Sequence, residues 1–96
     1  MNFIWDNAKN IQNQQKHGIS FELAQQVFQD QNLVCWVDER RDYGEERWIG
    51  LGSIADVLVV VIVYTFRGDN DEENVRIISA RKASRKEREK YSTIRQ

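Results

Sequence analysis

The chain has 96 residues, of which 41% are hydrophobic and 10% aromatic, so it can build one domain around a single core and is not globally disordered. Its single cysteine, Cys35, excludes an internal disulfide, and together with the single histidine it cannot assemble a Cys/His metal cluster. No signal peptide is recognisable, and the longest apolar run, Val57–Tyr64, is too short to span a bilayer. We therefore expect a cytoplasmic protein without a membrane partner.

The net charge of −1 conceals a strong asymmetry along the chain. The segment from Val75 to Gln96 contains eight basic and two acidic residues, a balance of +6, whereas the rest of the chain, with six basic and thirteen acidic residues, sums to −7. This asymmetry indicates a polyanionic partner for the C-terminal segment. A solvated helix face would have the same composition, so the charge pattern alone leaves both interpretations open.

The first third of the chain predicts one short strand and a helical hairpin. Phe3 and Trp5 alternate with Asn2, Ile4 and Asp6, which suits a short strand. Asp6 is a favourable N-cap for a helix that ends at about His17, before Gly18. Ser20 then caps a second helix with one apolar face, formed by Phe21, Ala24, Val27 and Phe28.

The second half of the chain predicts a series of strands. Their expected ranges are Leu33–Val37, Arg47–Leu51, Val57–Phe66 and Val75–Ala80. The third is an almost continuous run of β-branched residues, which predicts a central strand buried on both faces. Between the third and fourth strands, the acidic segment Gly68–Asn74 predicts a mobile hairpin tip.

A last helix is predicted from the capping box formed by Ser84 and Glu87. Only Tyr91 and Ile94 are apolar within it, so this helix either packs weakly, with Tyr91 as its anchor, or meets a partner. The resulting order is β-α-α-β-β-β-β-α in a single domain spanning residues 1–96. We expect an α+β fold with an antiparallel sheet packed by helices.

Three groups of residues, in order along the chain, resemble the BrnT family of toxins. They are an opening run with Phe3–Asp6, Lys9, Asn13, Lys16–Glu22, Ala24, Val27 and Phe28, a middle run at Gly44–Gly50, and a closing run at Arg76–Ala83. The resemblance extends from Phe3 to about Tyr91. The chain departs from the family in having Asn7 where proline is frequent and in an acidic tip that is longer than usual.

This resemblance implies a RelE-like fold and a ribonuclease that needs no metal or other cofactor. It also implies a toxin of a type II toxin–antitoxin module, which cleaves RNA and thereby inhibits translation and growth. The expected partner is a BrnA-like antitoxin with a ribbon-helix-helix domain. The complex would contact operator DNA only through this antitoxin. If the antitoxin packs on the last helix, deleting Arg85–Gln96 should weaken the complex. A rival interpretation is a non-catalytic module that binds RNA or antitoxin and serves autoregulation of its operon.

RNA cleavage without a metal needs a base for the 2′-hydroxyl, an acid for the leaving 5′-oxygen and fixed positive charge at the phosphorus. Arginine suits the last task because its planar fork binds two phosphate oxygens and stays charged. Arg81 with Lys82, at a strand end and just before the capped helix, is the strongest phosphate-binding candidate. His17 could exchange a proton near neutrality beside Lys16, although both would also complement the dipole at a helix C-terminus.

The remaining candidates lie around the predicted strand ends. Glu46 could act as a base and Arg47 as a phosphate clamp, or the segment Asp38–Arg47 is only a solvated turn. Arg67 and Arg76 should flank the acidic tip, where Arg76 could simply neutralise its carboxylates. The complete predicted set comprises catalytic Arg81, His17, Arg47, Arg67 and Glu46, and RNA-binding Lys16, Arg76, Lys82, Arg85 and Lys86.

The remaining aromatic residues and the cysteine are interpreted as packing residues. Tryptophans on strands beside β-branched residues are usually packed, so Trp5, Trp36 and Trp48 are expected to contribute to the core rather than to stack on bases. Cys35 lies in the middle of a predicted strand without an obvious base beside it. We therefore expect it to be a small buried apolar residue.

Overall fold

The computed structural model describes residues 1–68 and 74–94. Within these ranges the elements are β1 (Asn2–Ile4), α1 (Asn7–His17), α2 (Phe21–Ala24), a 3₁₀ helix (Gln25–Gln29), β2 (Val34–Val37), β3 (Trp48–Ile54), β4 (Leu58–Arg67), β5 (Asn74–Lys82) and α3 (Arg85–Ile94). The predicted element order and the α+β class are confirmed. The centre of the predicted hairpin tip, residues 69–73, lies outside the described residues.

The helix boundaries follow from the capping residues identified in the sequence. The Asp6 carboxylate accepts a hydrogen bond from the backbone N–H of Ala8 at 2.8 Å, and Gly18 ends α1 in the left-handed region with φ of 71°. Ser20 caps α2 through its hydroxyl oxygen. The predicted second helix keeps α geometry for only four residues and then tightens into the 3₁₀ helix.

The sheet has the strand order β1-β5-β4-β3-β2. Strands β2 to β5 form the predicted antiparallel meander, and Ala55 and Asp56, with φ of 53° and 58°, make the tight turn between β3 and β4. However, β1 pairs parallel to β5, so the sheet is mixed rather than wholly antiparallel. After β1, the helices cross one face of the sheet, and β2 forms the opposite edge. The meander then leads back strand by strand, so that β5 lies beside β1 and runs in the same direction.

The core lies on both faces of the sheet. On one face, α1, α2 and the 3₁₀ helix cover a large cluster that includes Phe21, Val60 and Ile62. On the other, α3 covers a smaller cluster around Leu51, Val61 and Tyr91. Strand β4 contributes to both clusters, which confirms that it is buried on both faces.

Two residues show how well burial follows from local sequence. Tyr91 is 1% exposed and its hydroxyl donates to the carboxylate of Asp30, which confirms it as the anchor of α3. The prediction that Cys35 is buried is wrong, since its side chain is exposed. Cys35 lies in β2, which is an edge strand, and a local pattern does not reveal whether a strand is at an edge.

Asn13 fastens α1 to the open edge of β5. Its side-chain amide donates to the carbonyl oxygens of Ala80 at 2.8 Å and Ile19 at 3.0 Å, and its Oδ1 accepts from the N–H of Ala80 at 3.1 Å. Strand β1 pairs with β5 only at residues 74–76, so Asn13 supplies at Ala80 the two hydrogen bonds that a neighbouring strand would otherwise make. The C-terminal part of α1 is thereby fixed beside the C-terminal end of β5.

The role of Asn13 predicts a large effect of one substitution. Asn13→Ala removes three hydrogen bonds and leaves buried backbone groups without partners, so the free energy of unfolding should fall by about 2–4 kcal/mol. Gln14→Ala, at an exposed position of the same helix, is the matched control and should change it by less than about 0.5 kcal/mol. Urea denaturation measures both values. Equal stabilities for the two variants would contradict this role.

Candidate functional site

A groove of about 630 Å³ lies on the face of the sheet opposite α1 and α2. Its floor is formed by apolar side chains of β3 and β4, namely Ile49, Val61 and Val63. Its walls carry basic side chains from three separate parts of the chain, which are Lys16, His17, Arg40, Arg41 and Arg81. An apolar floor with basic walls suits a ligand that combines flat rings with phosphates.

Three of the predicted site residues meet in this groove. Lys16 and His17 form the last turn of α1, where Asn13 holds the helix beside β5. Arg81 follows Ala80, the residue to which Asn13 is bonded, and projects into the groove from β5. Residues 64 positions apart in the sequence therefore line one site.

Arg81 is already paired in this structure. Its Nη1 and Nη2 donate to the two carboxylate oxygens of Glu87 at 2.7 and 2.9 Å. Glu87 also accepts from the N–H of Ser84, and Ser84 Oγ accepts from the N–H of Glu87, which confirms the predicted capping box. The hydrogen bonds from Arg81 lower the pKa of Glu87 to about 2, so the pair stays ionised at neutral pH.

Arg40 is a groove residue that the sequence analysis missed. Its Nε and Nη2 both donate to the Asp38 carboxylate at 2.8 Å, and Tyr43 Oη donates to the same carboxylate at 3.0 Å. The Asp38 side chain is 0% exposed, whereas that of Arg40 is 68% exposed. The hydrogen bonds from Arg40 hold the pKa of Asp38 well below its usual range. The segment predicted as a solvated turn is thus organised around a buried carboxylate.

A second basic cluster gathers three predicted arginines around Glu45. The guanidinium nitrogens of Arg67, Arg47 and Arg76 lie 2.9, 3.2 and 3.9 Å from its carboxylate oxygens. The Arg47 guanidinium also stacks on the ring of Tyr43, 4.3 Å from its centroid. Glu45 was missed because its role arises only when the loop folds back onto β4 and β5.

The other predicted residues take different positions. Glu46 and Arg47 lie just before β3 rather than in it, and Glu46 is exposed and lines a smaller cavity of about 270 Å³. Lys82, Arg85 and Lys86 are not among the residues that line the groove. Arg85 instead forms an exposed ion pair with Glu89 at 3.3 Å. The structure therefore divides the predicted set between a groove, an arginine cluster and a solvated segment.

The tryptophans also divide into two kinds. Trp5 packs against Phe21 with ring centroids 6.1 Å apart, and Trp48 packs against Phe66 at 6.4 Å, as predicted. Trp36 departs from the prediction, since it is 38% exposed and lines the groove. Like Cys35, it lies in the edge strand β2.

Two further observations concern other kinds of site. In residues 1–68 and 74–94, no helix is long and apolar enough to cross a membrane. In the same part of the chain, no group of three or more His, Cys, Asp and Glu side chains is placed to hold a metal ion. A separate cavity of about 530 Å³ is lined by Gln26, Gln29, Asp30, Gln31, Asn32, Ser53, Ala55 and Asp56, without a basic side chain.

The fold and the groove define a small α+β protein with a basic, partly apolar site on one face of a mixed sheet. The chain belongs to the family of BrnT, the ribonuclease toxin of type II toxin–antitoxin systems, whose sequence pattern it matches over residues 5–87. A search of curated proteins finds no match. Among solved structures, the chain is similar to the ribonuclease toxin BrnT of Brucella abortus, with a TM-score of 0.64 and 23% identity. That similarity covers 88% of this chain and 99% of the other, and it supports the shared fold.

The pairing of Arg81 predicts that removing its carboxylate partner strengthens binding of a polyanion. Glu87→Gln keeps a residue suited to the capping box but frees the Arg81 guanidinium. The affinity for a labelled single-stranded oligoribonucleotide, measured by fluorescence anisotropy, should rise about 3- to 10-fold. Glu89→Gln removes the same charge from the same helix outside the groove and should have a smaller effect. An equal rise in both variants would mean that only net charge matters.

Proposed function

We propose that this chain is a metal-independent endoribonuclease whose active site is the groove lined by Lys16, His17 and Arg81. The observation that carries the proposal is the convergence of these three side chains, from α1 and β5, over one apolar floor. RNA transesterification requires proton exchange beside fixed positive charge, and these side chains bring both kinds of group together.

The reaction assigned to the groove is an internal transfer at phosphorus. A base takes the 2′-hydroxyl proton, the 2′-oxygen attacks the adjacent phosphorus, and the bond to the 5′-oxygen breaks as an acid protonates that oxygen. The products are a 2′,3′-cyclic phosphate and a 5′-hydroxyl end. His17 and Lys16 exchange the protons, and Arg81 stabilises the charge of the phosphorane once a phosphate has displaced Glu87.

The arginine cluster around Glu45 extends the RNA-binding surface beyond the groove. Val61, Val63, Thr65 and Arg67 are alternate residues of β4 and therefore lie on one face of the sheet. Six residues of strand span about 20 Å, enough to follow several nucleotides of a bound strand. Arg47, Arg67 and Arg76 thus bind flanking phosphates, whereas Lys82, Arg85 and Lys86 contribute longer-range attraction.

Membership of a toxin family of type II modules supports the following cellular role. Cleavage of RNA by the free chain inhibits translation and growth, and a BrnA-like antitoxin with a ribbon-helix-helix domain neutralises it in a hetero-oligomer. Operator DNA is contacted only through that antitoxin. We expect all of this to take place in the cytoplasm.

The test is cleavage of labelled RNA in excess EDTA, with the product ends mapped. The parent chain should cut and leave 5′-hydroxyl ends, and Arg81→Ala should lower the rate about 100-fold or more because it removes charge from the transition state. Lys9→Ala removes an exposed positive charge that does not line the groove and should change the rate by less than about twofold. Loss of cleavage in EDTA, or equal rates for the two variants, would overturn the proposal.

The internal pairing of the arginines favours a second candidate, a module that binds RNA or antitoxin without cutting. Arg81, Arg40 and Arg67 each contact a carboxylate, so their charges are partly neutralised within the protein. Under this alternative the parent chain binds labelled RNA in the same experiment, but no product appears over hours at saturating protein.

A further inference from the structure

Trp36 and Arg40 line the same groove from one short segment, the end of β2 and the turn that follows it. Trp36 is 38% exposed, in contrast to a core residue such as Leu51 at 1%. An exposed indole beside a guanidinium is a combination that recognises a nucleotide through its base and its phosphate.

We propose that Trp36 and Arg40 form a nucleotide subsite that restricts the enzyme to single-stranded RNA. A base of the substrate stacks on the indole of Trp36, and the adjoining phosphate is bound by Arg40. The inference rests on the proposed function and names the class of substrate. A base inside a duplex is stacked on its neighbours and cannot reach the indole, so the subsite accepts only unpaired nucleotides.

The geometry of Arg40 supports the phosphate contact. Arg40 donates to the Asp38 carboxylate from one edge of its guanidinium, through Nε and Nη2. The Nη1 amino group on the other side is left for a phosphate oxygen. Because the Asp38 side chain is fully buried and Tyr43 also donates to it, the guanidinium is fixed rather than free to swing. Asp38 is therefore a positioning residue for Arg40.

The contact between Lys90 and Trp36 does not prevent stacking. The Lys90 ammonium lies 5.5 Å from the centroid of the Trp36 ring, so the π-system is accessible to a side chain from α3. An exposed lysine–ring contact of this kind contributes roughly 2- to 5-fold to an equilibrium, whereas stacking of one base contributes roughly 5- to 150-fold. A base therefore displaces the Lys90 ammonium from the Trp36 ring.

The experiment measures binding apart from cleavage. A short single-stranded oligonucleotide with 2′-O-methyl groups lacks the attacking hydroxyl, so its dissociation constant can be determined by anisotropy without turnover. Trp36→Leu should weaken binding about 5- to 150-fold, and Trp36→Phe should retain most of the affinity because its ring still stacks. Trp5→Phe, at a tryptophan packed against Phe21, is the matched control and should bind as the parent does.

The salt dependence of binding distinguishes the phosphate contact of Arg40 from the base contact of Trp36. Arg40→Gln should reduce the slope of log affinity against log salt by about 0.7, the value for one phosphate contact on a single strand. Arg40→Lys should keep that slope but bind more weakly, since lysine cannot form the side-on pair with Asp38. Trp36→Leu should lower affinity without changing the slope.

The duplex of the same sequence completes the test. The parent should bind the duplex more weakly than the single strand, and Trp36→Leu should not alter binding of the duplex. Unchanged single-strand affinity in Trp36→Leu, or equal loss in Trp36→Leu and Trp36→Phe, would overturn the subsite even if unmodified RNA is cleaved. Conversely, if the predicted binding pattern is obtained and unmodified RNA stays intact, the subsite stands and the proposed catalytic function fails.

Discussion

The side-chain amide of Asn13 determines where the site can form. It satisfies both backbone groups of Ala80 on the side of β5 where β1 no longer pairs, and it accepts and donates there at 3.1 and 2.8 Å. Buried backbone groups without partners would cost on the order of 1–3 kcal/mol each, so this contact fixes α1 against β5. Lys16 and His17, on the next turn of the helix, then lie beside Arg81, the residue that follows Ala80. One interaction in the core thus sets the geometry of a surface site.

The charges of the site are organised by internal carboxylates rather than by net charge, which is only −1 for the whole chain. The two arginine–carboxylate pairs of the groove, Arg81–Glu87 and Arg40–Asp38, differ in the free energy needed to separate them. Arg81 and Glu87 are both partly exposed, and such pairs contribute only about 0–1 kcal/mol to stability. Asp38 is fully buried, and leaving it unpaired costs several kcal/mol. If RNA binds in the groove as proposed, its phosphate competes with Glu87 for Arg81, whereas Arg40 stays where Asp38 holds it.

Features that depend on a few neighbouring residues were predictable from the sequence. Asp6, Gly18 and the Ser84–Glu87 box mark helix ends correctly because capping is a local interaction. Features that depend on the arrangement of strands were not. The parallel direction of β1 and the exposure of Cys35 follow from strand order, which alternation of residue types does not encode. The candidate groove was predictable in part for the same reason, since Arg81 and His17 are recognisable by residue type, whereas the ion pairs of Arg40 and Glu45 form only once their loop has folded back.

The last helix is attached to the rest of the fold at its first turn and at Tyr91. Tyr91 is its buried residue among those described, and the hydroxyl of Tyr91 donates to Asp30, whose carboxylate also accepts from the N–H of Ser53 at 2.7 Å. At the other end of the helix, Glu87 holds the first turn to Arg81. If a phosphate binds Arg81 as proposed, it breaks the contact between Arg81 and Glu87, while Tyr91 keeps the helix docked. Binding in the groove would then loosen the first turn of α3. Because such coupling is reciprocal, loosening that turn would favour binding by the same free energy.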